Sequence, residues 1–241
     1  MLDCIFGQVK VLRMQHRLEQ FQKDFTYAMI HDMKSPLNSI LMAAHVLAGG
    51  KLADKPEKEE KYRRVMTEES EHLLALSNRV LMLTQLDEGH LELHKEEVSL
   101  RPLLNDLIAK ISLKANKKVE FNTVYHRCET VYADAFCLRE VLGNLLDNAI
   151  KYSDAGTVIS VEEFSYELFS GIRITDQGVG IAEEEIPLLF GRFYRGKTVH
   201  DKEGIGVGLY LAREIVEHNG GYIKVKSEVL KGSTFDICFP R

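Results

Sequence analysis

The chain has 241 residues, of which 45% are hydrophobic and 28% charged, with a formal net charge of −5. That balance fits a soluble globular protein of one or two domains, and the modest Gly (17), Pro (5) and Cys (4) counts exclude a collagen-like chain or a disulfide scaffold. Acidic residues outnumber basic ones on both sides of residue 90, so no basic half is offered to nucleic acid, which is not an expected partner.

Cys4, Cys128, Cys137 and Cys238 are scattered without a CxxC pair, a pattern of reduced thiols rather than of zinc ligands or disulfides. The apolar stretch Ile40–Gly50 is 11 residues long and contains His45, short of the about 20 residues that a membrane helix needs. Met1 is not followed by the basic and apolar regions of a signal peptide. The expected location is cytoplasmic, with no membrane span in this chain and any anchor of the native protein upstream of it.

Residues 1–90 read as helix. Phe21, Phe25, Met29, Met33, Leu37, Ile40, Ala44 and Leu47 recur at steps of three or four, until Gly49-Gly50 stops the pattern. Asp54-Lys55-Pro56 restarts it, and Tyr62, Met66, Leu73, Leu76, Val80 and Leu83 carry a second stripe as far as Asp87-Glu88-Gly89. Two amphipathic helices joined by a short connection form an antiparallel hairpin. One hairpin buries only one stripe, which argues for a homodimer closed as a four-helix bundle. Residues 91–241 mix strand-like segments at 119–124, 158–164, 171–175, 222–226 and 234–239 with helical ones at 101–115, 135–152 and 207–219. The fold class is α+β: a helical hairpin over 1–90, then an α/β sandwich over 91–241.

His31 lies in the first helix, about 170° around the axis from the stripe through Met29, Met33, Ile40 and Ala44, so its imidazole faces solvent. Asp32 stands beside it as a proton acceptor that makes a ring nitrogen nucleophilic near pH 7. Ser35 follows one turn later on the same face. Pro36 removes the donor for the carbonyl of Asp32, which predicts a kink there. Taken alone, a His-Asp pair is an ordinary surface feature, so its meaning depends on the rest of the chain.

Three glycine-bearing segments follow in order: Asp176-Gln177-Gly178-Val179-Gly180 after a strand, Gly204-Ile205-Gly206-Val207-Gly208 before a helix, and Lys231-Gly232-Ser233-Thr234 between the last two strands. Glycines allow close backbone approach to a ligand, and amides at a helix start attract phosphate. No GxxxxGK[ST] occurs, which excludes a P-loop, and no strand precedes Gly204 as a dinucleotide fold would require. Asp176, at the end of an apolar strand, could accept the exocyclic amine of adenine or simply form a turn. In the segment 135–152, Glu140, Asn144, Asn148 and Lys151 share one polar face, which can orient Mg²⁺ through oxygen ligands and water or can be merely solvated.

Together these residues resemble the sensor histidine kinases of two-component signalling. His31–Leu37 is similar to the H box, Asn144–Tyr152 to the N box, Asp176–Gly180 to the G1 box, Phe190–Arg195 to the F box and Gly204–Gly208 to the G2 box. The resemblance covers nearly the whole chain and implies a dimerisation and histidine-phosphotransfer domain followed by a Bergerat-type ATP-binding domain. It implies that Asn148 holds Mg²⁺ and Asp176 recognises adenine. Glu140, Asn144, Lys151 and Tyr152 would flank the nucleotide, and Gly178 and Gly180 would shape the adenine pocket with Thr234 nearby. Residues 196–203 would form a lid ending in Gly204, Gly206 and Gly208 beside the phosphates. Arg192 and Arg195 would approach the γ-phosphate and His31.

Asp32 and Ser35 stand where the H box more commonly has Glu and Thr, and Val207 and Tyr210 where the G2 segment usually has Leu and Ser. The carboxylate at Asp32 preserves the kinase chemistry. The serine at 35 bears instead on phosphatase action. The implied activity is MgATP-dependent phosphorylation of His31 and transfer to an aspartate of a response-regulator receiver domain, with dephosphorylation of that regulator as a further activity. The alternatives are a scaffold that binds nucleotide without catalysis and docks a regulator, and a stand-alone ATPase of the gyrase and heat-shock chaperone type, which leaves His31 unexplained.

Overall fold

The computed structural model describes residues 26–27, 29–50, 55–115, 117–126, 130–196 and 206–240. The expectations placed on Phe21, Phe25, Cys4, Cys128, Gly204 and the loop residues 197–203 lie outside the described residues. The chain divides after Leu91 into two compact units. No helix among the described residues is long and apolar enough to cross a membrane.

The first unit is a helical hairpin of α1 (residues 29–48) and α2 (Pro56–Asp87). Pro56 opens α2, where its missing N–H would have no helical partner, and Glu57 and Glu59 in the first turn suit the positive end of the helix dipole. At the other end Gly89, with φ 67°, turns the chain out of the helix. Helical structure continues through Pro36 to residue 48, and Pro36 is itself buried.

Burial on α1 also departs from the predicted stripe in one respect. Pro36 and Ala43 are buried, and Met29, Met33, Ile40, Ala44 and Leu47 are half-buried, but Leu37 is 49% exposed. At 100° per residue Leu37 falls on a neighbouring row with Ile30 and Leu41, which are exposed too. On α2, Leu76, Met82 and Leu83 are buried while Leu74 and Leu81, seven residues apart, are exposed. The hairpin thus carries two apolar rows on each helix and buries one of them.

In the second unit the order is β1 (Lys95–Ser99), α3 (Leu100–Lys114), β2 (Glu120–Val124), β3 (Thr130–Asp134), α4 (Ala135–Tyr152), β4 (Val158–Ser165) and β5 (Phe169–Thr175). A short 3₁₀ turn (Ile186–Leu188), α5 (Gly208–His218), β6 (Tyr222–Glu228) and β7 (Gly232–Pro240) complete it. Five strands form one sheet in the order β2-β4-β5-β7-β6, and β1 pairs with β3 as a separate ribbon. The hairpins β4–β5 and β6–β7 are the expected antiparallel pairs. By contrast β2 runs parallel to β4, reached by a crossover through β3 and α4.

Alternation along the strands builds the layers. Ile159 and Val161 of β4, Ile172 and Ile174 of β5, and Ile237 and Phe239 of β7 are buried, and α4 and α5 pack on the sheet with Leu142, Leu146, Ile215 and Val216 buried. Each such side chain contributes about 1.5–3 kcal/mol through burial. The intervening residues form a polar row across the other face, where Arg173 donates to both oxygens of Asp236 at 2.6 and 2.9 Å. Asp134 starts α4 as its N-cap, accepting from the amides of Cys137 and His94, each at 2.9 Å. Burial pushes the Asp134 carboxyl up, but those amide bonds outweigh it and hold the group below the usual aspartate value.

Candidate functional site

Asp176 follows the last residue of β5 and is 7% exposed. Its Oδ1 accepts from the amide of Gly178 at 2.8 Å and from that of Ser233 at 3.2 Å, and its own amide donates to the Ser233 carbonyl at 2.9 Å. Burial raises the carboxyl above the ordinary aspartate value, opposed by the two amide donors. Beside it Thr175 and Thr234 face each other across β5 and β7 with hydroxyls 3.2 Å apart. Gly232 and Ser233, from the glycine-bearing segment between the last two strands, both lie against Asp176. An added Cβ at Gly232, where φ is 104°, would overlap the Asp176 carbonyl oxygen.

Gly178 closes the same corner against α4. A Cβ there would overlap the Tyr152 carbonyl oxygen and lie 2.9 Å from Asp176 Oδ1, and the Val179 amide donates to that carbonyl at 3.2 Å. Gly180 has φ 68° and packs against the backbone of Glu228. The loop after β5 is therefore pinned between the end of α4 and the β6–β7 turn, with the Asp176 carboxylate at its root.

The polar face of α4 meets the start of α5. Asn144 lies against Gly208, where an added Cβ would overlap Asn144 Oδ1 and come 2.9 Å from Nδ2. That Nδ2 is buried and has no hydrogen-bond partner among the described residues. Val207, which precedes α5, makes no side-chain cap, and amides at a helix start attract an anion. Glu140 and Asn148 are half-buried on the same helix. Lys151 sets its ammonium 5.4 Å from the ring centre of Tyr152. Burial raises the Tyr152 hydroxyl, and the positive charge of Arg195 partly offsets that. The buried amide and the start of α5 against which it lies suit the phosphate groups of a nucleotide.

Arg192 lies against two rings, 5.3 Å from the centre of Phe193 and 5.5 Å from that of Tyr210 on α5. Gly206, with φ 76°, abuts the carbonyls of Phe193 and Tyr194, where a Cβ would come within 2.9–3.0 Å. Within the second unit Gly206 thus lies against the backbone of Phe193 and Tyr194, Arg192 against Tyr210 of α5, and Gly208 against Asn144 of α4.

The first unit carries His31, Asp32 and Ser35. His31 is 85% exposed and its Nδ1 lies 3.4 Å from Asp32 Oδ1. Ser35 is exposed as well, and its carbonyl accepts the Ser39 hydroxyl at 3.3 Å.

Residues 133–241 match the family described as histidine kinase-, DNA gyrase B- and HSP90-like ATPase. Residues 21–89 match the His Kinase A (phospho-acceptor) domain. The sensor protein SrrB of Staphylococcus aureus is 30% identical over 237 residues, which cover 97% of this chain and 40% of SrrB. The chain thus spans less than half the length of the curated relatives it matches. Among solved structures, the mycobacterial sensor histidine kinase MprB aligns with TM-score 0.52 and 25% identity, over 61% of this chain and 97% of MprB. The Acinetobacter baumannii histidine kinase AdeS aligns with TM-score 0.58 and 22% identity, over 87% and 97%, a likeness of fold.

Proposed function

The chain belongs to the sensor histidine kinases of two-component signalling, and on that premise we propose that it phosphorylates His31 from MgATP and passes the phosphoryl group to a response-regulator aspartate. In this reading residues 1–90 are the dimerisation and phosphotransfer domain and residues 91–241 the catalytic domain. The observation that carries it is the pairing of two features in one unit. The buried Asp176 carboxylate is fastened through Oδ1. The Asn144 amide, buried and without a partner for Nδ2 among the described residues, stands at the start of α5.

Asp176 would accept the exocyclic amine of adenine on its second oxygen, with Gly178, Gly180 and Thr234 shaping the wall. In a site away from bulk water such a bond discriminates strongly, because an unmatched carboxylate is costly. Asn144, Glu140, Lys151 and Tyr152 would flank the nucleotide, and Asn148 would hold Mg²⁺ through its amide oxygen. MgATP supplies the γ-phosphoryl group and leaves as MgADP. Arg192 and Arg195 would neutralise charge on the moving group, the main demand of phosphoryl transfer.

On the hairpin, Asp32 would keep the proton on Nδ1 of His31 and so leave Nε2 with its lone pair as the nucleophile. When Nε2 becomes bonded to phosphorus, Asp32 would take the Nδ1 proton. The exposed rows of Ile30, Leu37 and Leu41 on α1 and of Leu74 and Leu81 on α2 would be covered by a second copy, making the homodimer. Ser35, one turn after His31, would orient a water for dephosphorylation of the regulator.

Incubation of the chain with γ-labelled ATP tests the kinase reading. The label should be lost in acid and kept in base, as a phosphoramidate is. A label stable in acid would point to a hydroxyl acceptor and overturn it.

A further inference from the structure

Two aromatic rings from different elements converge on Arg192. Phe193 holds φ 65°, a left-handed backbone that a bulky residue seldom adopts. The contact of Gly206 with the carbonyls of Phe193 and Tyr194 keeps it there. Tyr210 stands on α5 two residues beyond Gly208, where Asn144 meets the helix. The guanidinium therefore sits beside the first turn of α5, next to the place where Asn144 meets the helix.

We propose that Tyr210 is a positioning residue for phosphoryl transfer, its ring holding the Arg192 guanidinium by cation–π attraction in place to meet the phosphoryl oxygens. The chemistry favours this division of labour. A guanidinium is attracted to the face of an aromatic ring and matches the geometry of phosphoryl oxygens better than an ammonium does. A side chain with several rotatable bonds is thereby fixed before substrate arrives, so less order has to be imposed in the transition state. The proposal rests on the kinase reading above.

The test compares Tyr210→Ser, Tyr210→Leu and Tyr210→Phe in the full chain. Tyr210→Ser removes the ring, Tyr210→Leu keeps apolar bulk without a π face, and Tyr210→Phe keeps the ring. Attraction of this kind corresponds to a rate effect of about threefold to thirtyfold. Tyr210→Ser and Tyr210→Leu should lower the maximal rate of His31 labelling by that factor with ATP affinity within about twofold of wild type, and Tyr210→Phe should restore the rate. A second readout does not depend on activity: the Nε–Hε resonance of Arg192, assigned through its loss in Arg192→Lys, should shift in Tyr210→Ser and Tyr210→Leu and stay in Tyr210→Phe. Wild-type labelling by Tyr210→Ser, or equal loss in all three variants, would overturn the proposal, as would an Arg192 resonance unmoved by loss of the ring. A wild-type chain that takes no label would fail the kinase reading itself, and the resonance comparison would still decide the contact.

Discussion

Gly208 and Asn144 fit together with no space for one further carbon: a Cβ on the first residue of α5 would overlap the amide oxygen in the middle of α4. The same amide leaves its Nδ2 buried without a partner among the described residues. A close fit around an unsatisfied donor is poor design for stability and good design for a ligand. Gly208→Ala should therefore destabilise the second unit by about 1–3 kcal/mol through overpacking, although alanine is the better helix former. Asn144→Ala added to it should relieve the overlap and recover stability. It should not recover ATP affinity, which thermal melts with and without nucleotide would separate.

Asp176 gives a prediction of opposite sign for stability and binding. Burial raises its carboxyl in the folded state, so ionisation disfavours folding once pH rises above the unfolded value. Asp176→Asn keeps an oxygen for the amides of Gly178 and Ser233 and removes that charge. The variant should melt at or above the wild-type temperature at pH 7, and its advantage should shrink on acidification towards the ordinary aspartate range. ATP binding should fall at least about tenfold, since the new amide donor would face the adenine amine. Titration calorimetry beside melts at several pH values checks both halves.

Asn148→Asp adds a negative charge where the triphosphate is proposed to lie. Labelling should fall roughly tenfold or more while the fold is kept, because Asn148 is half-buried on a helix whose packing is carried by its leucines. Rates measured across a range of Mg²⁺ concentrations would show it, and an unchanged profile would mean that this face of α4 is only solvated.

Much of this site was legible in the sequence because polar residues at steps of four, as in Glu140, Asn144 and Asn148, can only share a face of a helix. The helix itself, α4, has the predicted limits 135–152, set by a good cap at Asp134 and an unbroken apolar stripe. The ribbon β1–β3 was not legible. Lys95-Glu96-Glu97-Val98-Ser99 buries a single side chain, too little for periodicity to reveal. The parallel pairing of β2 with β4 was hidden too, since strand content does not encode direction. Leu37 misled because an α-helix with two apolar rows offers two adjacent stripes at the same spacing. The cation–π contact of Arg192 with Tyr210 joins residues 18 positions apart in sequence through tertiary contact alone.

Ser35 carries the proposed phosphatase step. Its hydroxyl lies one turn from His31 and is exposed, and serine lacks the methyl group that restricts the χ1 of threonine. Ser35→Ala should lower regulator dephosphorylation while leaving His31 labelling largely intact, and Ser35→Thr should preserve or improve it. Decay of the phosphorylated regulator with each variant, set against its spontaneous decay, provides the comparison.

The most direct test of the account is labelling of His31→Gln beside wild type, with ATP affinity measured on both. His31 is 85% exposed on the hairpin, whereas the residues proposed to bind nucleotide all lie in the second unit. The account predicts that the variant binds ATP as wild type does and takes no acid-labile label from it. Acid-labile labelling of His31→Gln at the wild-type level would contradict it and return the phosphoacceptor to some other residue.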